Sequence, residues 1–204
     1  MIRQHRDGDC LTVTIDRPEK AGALTRAMLT ELAEIAEAAR DVPLLVLTGT
    51  GKVFSAGADL DAARAGLATD PVWERLSAAI AACQGLTIAA LNGTAAGGAL
   101  GMVLACDLRI AVAQTRFFYP VMKLGFLPQP SDPARLVALV GPARAKMILM
   151  AGQKIDAQTA FAWGLLDRIA ADDALVSEAR ALGEDVLSAA PAHCAAIKRM
   201  IHAP

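Results

Sequence analysis

Residues 85–107 read Gly85-Leu-Thr-Ile-Ala-Ala-Leu91-Asn92-Gly93-Thr94-Ala-Ala-Gly97-Gly98-Ala99-Leu-Gly101-Met-Val-Leu-Ala-Cys106-Asp107. The apolar run from Thr87 to Leu91 has the length of a strand, and Ala99 to Ala105 is typical of a helix. Asn92-Gly93 and Gly97-Gly98 break the chain between them. The first turn of such a helix has free backbone N–H groups, and these favour negative charge because the helix dipole points the same way. We therefore predict half of an anion-stabilising site here.

Two other interpretations of this stretch are disfavoured. No charged residue occurs from Leu76 to Cys106, a length that could span a bilayer, but the glycines leave no unbroken apolar run of spanning length. A phosphate loop would need Gly-Lys-Ser/Thr after the glycines, and none follows. A buried strand and helix of an α/β core is the better prediction.

Composition narrows the class of protein. The 204 residues predict one domain, and the 54% hydrophobic and 4% aromatic content predicts a core of Ala, Leu, Val and Ile. The net charge of −1 shows no excess of basic residues that would attract nucleic acid or an anionic membrane, so we expect neither partner. The scattered cysteines and histidines predict no metal site, and the charged N-terminus lacks a secretion signal. We expect a cytoplasmic protein with free thiols at Cys10, Cys83, Cys106 and Cys194.

The N-terminal part of the chain predicts a hairpin and then a parallel strand pair. Asp7-Gly8-Asp9 separates two short strand patterns, and the second alternates apolar with polar residues. Thr25 can cap a helix to about Arg40, and Leu44 to Leu47 is a continuous apolar strand. A strand, a helix and a strand in succession imply parallel pairing.

A second loop of small residues runs from Val53 to Leu60 and enters a predicted helix, with Asp59 suited to its first turn. A helix opened by Pro71 then leads to the strand at Thr87 to Leu91. The two small-residue loops thus end successive strand-and-helix units. We expect both to open on the same edge of the sheet.

The C-terminal half is predicted to be mainly helical. Four prolines between Pro120 and Pro133 predict a long, stiff loop of the kind that often lines sites. Beyond it we expect helices at 134–140 and 143–150, split by Gly141-Pro142, and another between Asp156 and Gly164. The remaining predicted elements are strands at 108–113, 116–119 and 165–169, and helices at 174–190 and 191–201.

Six motifs in order show a resemblance to a known family. They are Arg17-Pro-Glu-Lys20 with Ala23-Leu24, Phe54-Ser-Ala-Gly-Ala-Asp-Leu60, Asn92-Gly93 with Gly97-Gly98, Cys106-Asp107, Leu124-Gly125 with Pro128, and Ile155-Asp-Ala157 with Ala160 and Trp163-Gly-Leu165. Over nearly its whole length the chain resembles the crotonase superfamily, also called the enoyl-CoA hydratase/isomerase family.

The resemblance implies an α/β fold, a crotonase-like spiral of ββα units, here with a shortened C-terminal helical region. We expect a crotonase-like core at 1–190 and a short helical tail at 191–204. The ligand implied is an acyl-CoA thioester, with coenzyme A as part of the substrate and no separate cofactor. The assembly implied is a homotrimer or a hexamer, and the metabolism implied is that of fatty acids.

The same resemblance assigns roles to the two loops. It implies that the backbone N–H groups of Ala58 and Gly98 form an oxyanion hole for the thioester oxygen as it becomes an enolate. Main-chain donors of this kind are rigid and cost little to reorganise. Three residues are implied to line the adenine site through their backbone, and Lys20 either lies near the phosphates or is a solvated loop lysine. The adenine-site residues are Ala56, Asp59 and Leu60.

The pattern breaks where the family's hydratases carry two glutamates, because these fall on Gly101 and Val121. Losing both groups argues against ordinary hydration. Asp132 and Tyr119 are the best substitute proton carriers. The alternatives are that Asp132 caps the helix at Ala134 and that Tyr119 is a packed aromatic.

Several functions remain open at this point. The first hypothesis is an enoyl-CoA hydratase/isomerase-like enzyme, a lyase or isomerase, that stabilises an enolate. A decarboxylase or thioester hydrolase of the same family is an alternative, and so is a non-catalytic acyl-CoA-binding or assembly protein. If the pocket is otherwise intact, Gly101→Glu with Val121→Glu should raise hydration of crotonyl-CoA.

Overall fold

The computed structural model describes residues 1–202 and confirms the predicted α/β class. The strands are β1 (Ile2–Asp7), β2 (Cys10–Ile15), β3 (Leu44–Gly49), β4 (Val53–Ser55), β5 (Leu86–Leu91), β6 (Thr94–Ala96), β7 (Leu108–Val112), β8 (Arg116–Phe118), β9 (Ile155–Asp156) and β10 (Arg168–Ala170). The helices are α1 (Arg26–Ala38), α2 (Leu60–Arg64), α3 (Val72–Ala81), α4 (Ala99–Ala105), α5 (Val121–Leu124), α6 (Asp132–Leu149), α7 (Ala157–Trp163), α8 (Leu175–Leu182), α9 (Glu184–Ser188) and α10 (Pro191–His202).

The larger sheet has six strands in the order β1-β2-β3-β5-β7-β10. Strands β1 and β2 form the predicted hairpin, which pairs Asp7 with Cys10 across the turn. The other neighbours pair in parallel, including β2 with β3 and β3 with β5. The predicted strand-helix-strand unit is therefore confirmed, and the loops after β3 and β5 leave the same edge.

Helices cover both faces of this sheet, as continuous apolar strands require. Leu45 and Leu47 of β3 belong to a large cluster with α1, α3 and α4. Leu44 and Val46 point to the opposite face, where they pack with Leu175 of α8. The alternation of side chains along β3 therefore divides the core into two layers.

Helix α4 lies wholly inside the larger of these layers. All seven of its residues are buried, and it packs between α3 and α6. This explains why the sequence of α4 shows no polar face. Its bounds, Ala99–Ala105, agree with the prediction.

A second, smaller sheet has the strand order β4-β6-β8-β9. Strand β4 lies in the first small-residue loop, and β6 comes directly before Gly97-Gly98 of the second. Strands β4 and β6 fall where the sequence predicts loops. Each is only three residues long, and the small residues of β6 carry no strand pattern. They pair in parallel and so hold the two small-residue loops side by side.

The region from Pro120 to Pro133 is not a continuous loop, and that prediction is wrong. It contains α5 and the start of α6. Helix α6 can include Pro133 because this proline lies in the first turn, where a missing N–H is tolerated. The predicted break at Gly141-Pro142 is confirmed as a kink, with Gly141 at φ 78°. Gly183 interrupts the predicted helix at 174–190, giving α8 and α9.

Helix α10 is fixed to the sheet by one ion pair. Lys198 Nζ donates to Asp107 Oδ2 at 2.6 Å and to the carbonyl oxygen of Gly85 at 2.9 Å. The same carboxylate oxygen accepts from the backbone and hydroxyl of Thr87. The Cys106-Asp107 motif thus has a structural role. The predicted division between core and tail stays a prediction, and residues 203 and 204 of that tail lie outside the described residues.

Burial fits the free-thiol prediction for two cysteines. Desolvation raises the pKa of Cys83 to about 11 and that of Cys106 to about 12. No helix within residues 1–202 has the length and apolar character needed to cross a bilayer.

Candidate active site

The loop after β4 is held by backbone hydrogen bonds between Leu24 and the two residues on either side of Ala58. The N–H of Leu24 donates to the carbonyl of Gly57 at 2.8 Å, and the N–H of Asp59 donates to the carbonyl of Leu24 at 2.8 Å. This is a parallel β-bridge between Leu24 and Ala58. Because the residues on either side of Ala58 make these bonds, the N–H of Ala58 points away from Leu24.

Gly57 brings this loop against the loop after β6. Its φ is 90°, and a Cβ atom there would lie 2.8 Å from the carbonyl oxygen of Ala96 and 3.4 Å from the backbone nitrogen of Gly98. The Ser55 hydroxyl accepts from the N–H of Gly57 at 3.1 Å. Only glycine combines this backbone conformation with so close an approach.

The second loop places Gly98 at the start of α4. The N–H of Gly97 donates to the carbonyl of Phe118 at 3.1 Å, which fixes the Ala96–Gly97 peptide, and the carbonyl of Gly97 accepts from the N–H of Leu100 at 3.0 Å, which fixes the peptide that carries the Gly98 N–H. The Trp73 ring packs beneath, since a Cβ atom at Gly98 would lie 3.1 Å from two ring carbons. Within residues 1–202, neither Ala58 nor Gly98 donates its N–H to a backbone or side-chain acceptor. Two partly exposed residues on adjoining loops therefore have free backbone N–H groups.

Asp59 is occupied by structural contacts. Its carboxylate accepts from the N–H groups of Asp61 and Ala62 as the cap of α2, and from Arg17 Nη1 at 3.0 Å. Desolvation opposes ionisation, but the hydrogen bonds from Ala62, Arg17 and Asp61 lower the pKa of Asp59. The carboxylate of Asp59 therefore holds the loop in place, and the expected backbone contact of this residue with a ligand stays a prediction.

The other predicted coenzyme residues lie at the rim of the first loop. Ala56 and Leu60 are exposed, and Lys20 is exposed at the end of a single 3₁₀ turn, Pro18–Lys20. Arg17 joins this turn to the loop, because Nη1 also donates to the carbonyl of Ala23 at 2.8 Å. Its tethering role could not be read from the motif that contains it.

Asp132 and Tyr119 are brought together. The Tyr119 hydroxyl donates to Asp132 Oδ2 at 2.9 Å, and Asp132 is fully buried. Its other oxygen, Oδ1, has no hydrogen-bond partner in the described part of the chain. Asp132 lies inside the first turn of α6, and its carboxylate makes no capping bond. The interpretation of Asp132 as a helix cap is therefore wrong. Tyr119 is a packed aromatic, and its hydroxyl also binds Asp132.

The environment of Asp132 makes ionisation of its carboxyl group less favourable than in water. Desolvation raises the pKa of Asp132 to about 6, against the Tyr119 hydrogen bond and the positive charge of Arg135, while Glu74 adds to the rise. Burial, with the Asp132 charge, raises the pKa of Tyr119. A carboxyl group with a pKa near neutrality is suited to both giving and taking a proton.

Gly101 lies directly against this carboxyl group. A Cβ atom at Gly101 would lie 3.0 Å from Asp132 Oδ1 and 3.3 Å from Oδ2. Val121, at the start of α5, is buried and apolar. The carboxyl group of Asp132 thus occupies space beside α4 that a side chain at position 101 would otherwise fill.

Glu74 holds the segment that carries Asp132. Its carboxylate accepts from the backbone N–H of Ser131 at 3.2 Å and from the Ser131 hydroxyl. This links α3 to the start of α6. No local pattern predicts this contact, since the two residues are 57 positions apart.

A large pocket lies elsewhere. It has a volume of about 790 Å³ and lies at the far end of α4 from Gly98, between α4, α6 and α10. Leu104, Asp107 and Lys198 are among its lining residues, whereas Ala58, Gly98 and Asp132 are not. Within residues 1–202 no group of three or more His, Cys, Asp or Glu side chains could hold a metal ion.

Comparison with known proteins shows which family the chain is similar to. The family model described as enoyl-CoA hydratase/isomerase matches residues 6–204. A protein from Citrobacter koseri named carnitinyl-CoA dehydratase is 36% identical over 211 residues, covering 97% of this chain and 78% of that protein.

Solved structures agree as well. An enoyl-CoA hydratase/isomerase from Pseudoalteromonas atlantica superposes with a TM-score of 0.90 at 34% identity, covering 98% of this chain and 82% of that one. An enoyl-CoA hydratase from Mycobacterium marinum gives 0.89 at 29% identity, covering 100% and 99%. The predicted crotonase-like fold is confirmed. The chain therefore belongs to the enoyl-CoA hydratase/isomerase family, the crotonase superfamily.

Proposed function

We propose that this protein is an acyl-CoA enzyme that stabilises a thioester enolate with the backbone N–H groups of Ala58 and Gly98. The observation that carries the proposal is that both amides are unpartnered within residues 1–202, on loops that touch through Gly57. The backbone around each amide is also held by hydrogen bonds, to Leu24 in one loop and from the N–H of Leu100 to the carbonyl of Gly97 in the other.

Such donors act where charge develops. When a proton leaves the carbon next to a thioester carbonyl, negative charge moves onto the carbonyl oxygen. Two fixed amides stabilise that charge more than the neutral carbonyl, and one donor of this kind contributes about 3–4 kcal/mol to the transition state. The start of α4 adds a favourable dipole.

The coenzyme portion is proposed to lie along the rim of the first loop. Ala56 and Leu60 are exposed beside the proposed oxyanion hole, and Lys20 is exposed on the neighbouring turn. Asp59 contributes through its backbone while its carboxylate holds the loop to Arg17. This arrangement leaves the Lys20 ammonium free for phosphate groups.

The reaction is proposed to be of the lyase or isomerase class. The Citrobacter koseri relative is named a dehydratase of an acyl-CoA, which is chemistry of the same enolate. Neither Gly101 nor Val121 can transfer a proton, so hydration by two glutamates is not the proposal. A buried carboxyl at Asp132, with its pKa raised to about 6, supports a reaction in which a proton is moved to or from carbon.

Calorimetric titration with two matched ligands tests the proposal. Butyryl-CoA has a thioester carbonyl, and S-butyl-CoA is the thioether without it. Two hydrogen bonds to the carbonyl should make butyryl-CoA bind about tenfold or more tightly. Equal affinities would contradict the oxyanion hole. Binding of butyryl-CoA without turnover of enoyl, malonyl or aryl thioesters would favour the non-catalytic alternative.

A further inference from the structure

We propose that Asp132 is the catalytic proton-transfer residue of this site, and that it acts through Oδ1 in the space that Gly101 leaves beside α4. This inference rests on the proposed function, because it needs a thioester whose oxygen is held at Ala58 and Gly98. It adds the group that moves the proton and the reason why position 101 carries no side chain.

The position of Oδ1 follows from the helix. Gly98 and Gly101 are three residues apart at the start of α4, so they lie on one face, about 4.5 Å apart along the axis. Oδ1 lies 3.0 Å from the Cβ position of Gly101. The unpartnered oxygen is therefore one helical turn from the N–H of Gly98, on the same side of the helix. A thioester bound at Gly98 would have its neighbouring carbon in that direction.

The state of Oδ1 is unusual for a buried group. Among residues 1–202 the buried side-chain polar atoms without a partner are few, and two of them lie in one turn of α6: Asp132 Oδ1 and Arg135 Nη1. Leaving such atoms unpaired is unfavourable, and native proteins retain few of them. Oδ1 is thus left free to accept a proton.

The Tyr119 hydroxyl determines which carboxylate oxygen of Asp132 is free to react. This hydroxyl donates to Oδ2, which leaves Oδ1 as the free oxygen. The N–H of Gln129 donates to the same hydroxyl oxygen at 3.4 Å, which orients it. Tyr119 is therefore a positioning residue. The charged groups nearest to the carboxyl are Arg135 on its own helix and Glu74 on α3.

Access to Oδ1 requires movement of a segment with few buried contacts. Residues 122–128 lie between buried Val121 and buried Gln129, and this segment exposes Leu124 to 58% and Leu127 to 85%. Segments with few buried apolar contacts open at low free energy. We expect this segment to give way when the acyl group enters.

The step balances without another reactant. Carboxylate Oδ1 takes one proton from the α-carbon, and the electron pair of that C–H bond forms the enolate, with its charge on the thioester oxygen. The same carboxyl then returns a proton to the α-carbon or, in an unsaturated acyl group, to the γ-carbon. The substrate class is thus an acyl-CoA thioester with a removable α-proton.

Hydrogen exchange at the α-carbon of butyryl-CoA in deuterium oxide tests the inference, with mass spectrometry as the readout. The parent should incorporate deuterium. Asp132→Asn should slow exchange by about 10²-fold or more while binding stays within about threefold. Asp132→Ser provides a second variant in case Asn alters folding. The exposed Asp173 gives the control Asp173→Asn, which should exchange like the parent.

The dependence of the exchange rate on pH distinguishes a positioning role of Tyr119 from a purely structural one. Exchange by the parent should rise with pH through about 6 and then level, because the carboxylate is the base. The Tyr119 hydrogen bond lowers the pKa of Asp132, so Tyr119→Phe should move the profile to higher pH. A lower rate with an unmoved profile would contradict the positioning role.

The outcomes distinguish the two proposals. If the parent binds neither butyryl-CoA nor other acyl-CoA thioesters, the proposed function fails. If the parent binds and exchanges but both Asp132 variants exchange at the parental rate, the oxyanion hole stands and the assignment of Asp132 is wrong. Binding by a parent that does not exchange would also overturn that assignment.

Discussion

Asp132 Oδ1 lies 3.0 Å from the point where a side chain at Gly101 would begin. The two residues are on different helices, α6 and α4, and the absence of a side chain on one makes room for the carboxyl of the other. Position 101 is therefore coupled to position 132. This relationship changes what substitutions at either site are expected to do.

Gly101→Glu should not restore hydration. The sequence led us to expect a gain from this change with Val121→Glu, but the new Cβ would meet the buried carboxyl of Asp132. A second buried carboxylate beside the first costs several kcal/mol. We predict a lower melting temperature and no gain in crotonyl-CoA hydration.

The control combines Gly101→Glu with Asp132→Ala, which removes the collision and moves the carboxyl to α4. The double variant should regain most of the lost stability and exchange α-protons faster than Asp132→Ala alone. A single Gly101→Glu variant as stable as the parent would contradict the packing.

Gly57→Ala should impair both stability and ligand binding. The φ of 90° costs an alanine about 1–3 kcal/mol, and its Cβ would approach the carbonyl of Ala96 and the amide of Gly98. Gly66→Ala is a matched control, since Gly66 has φ 98° but no atom within 4 Å of its Cβ position. We predict that only Gly57→Ala weakens butyryl-CoA binding in titration. Equal affinity in the two variants would argue against a ligand site at Gly98.

Asp132→Asn should stabilise the protein above pH 6. The folded state raises the pKa of Asp132 to about 6, whereas an unfolded aspartate titrates near about 4. The folded protein therefore holds this proton more tightly, and its stability falls as pH rises between these values. Asp132→Asn has no carboxyl group to titrate at this position. The difference in free energy of unfolding, variant minus parent, should therefore grow from about pH 4 to about pH 6 and reach about 2–3 kcal/mol.

Urea denaturation across pH measures that advantage. The exposed residue Asp173 supplies a control, Asp173→Asn, that should follow the parent at every pH. An Asp132→Asn variant that loses stability by the same amount at every pH would contradict the raised pKa.

Lys198→Met should loosen α10. It removes the bonds to Asp107 Oδ2 and to the carbonyl of Gly85, and hydrogen bonds of charged groups contribute about 1.5–3 kcal/mol. Hydrogen exchange of the α10 amides should accelerate, while α4 amides change little. Arg199→Met is the control, because Arg199 is exposed on the same helix. Unchanged exchange in α10 would mean that its apolar face alone holds it.

The backbone of the site followed from local sequence. Thr25 and Asp156 cap α1 and α7 as predicted, since a side-chain oxygen before a helix acts within three residues. The bounds of α4 followed from Gly98 and Cys106-Asp107. Both small-residue loops could be placed on one edge because parallel strands and short connections leave few alternatives.

The contacts that complete the site could not be predicted, because they join distant positions. Asp132 was a candidate for proton transfer, yet nothing local shows that its carboxyl faces Gly101, 31 residues earlier. The bond from Arg17 to Asp59 and the bond from Ser131 to Glu74 are also long-range. The short strands β4 and β6 form through pairing with distant strands, since β4 pairs with β6 and β6 also pairs with β8.

The carbonyl stretching frequency of bound butyryl-CoA, isotope-labelled at the thioester carbon, tests the central claim most directly. If the amides of Ala58 and Gly98 both donate to the thioester oxygen, difference infrared spectra should show this band shifted well below its frequency in water. A bound ligand whose carbonyl band stays at or above the frequency in water would contradict the account.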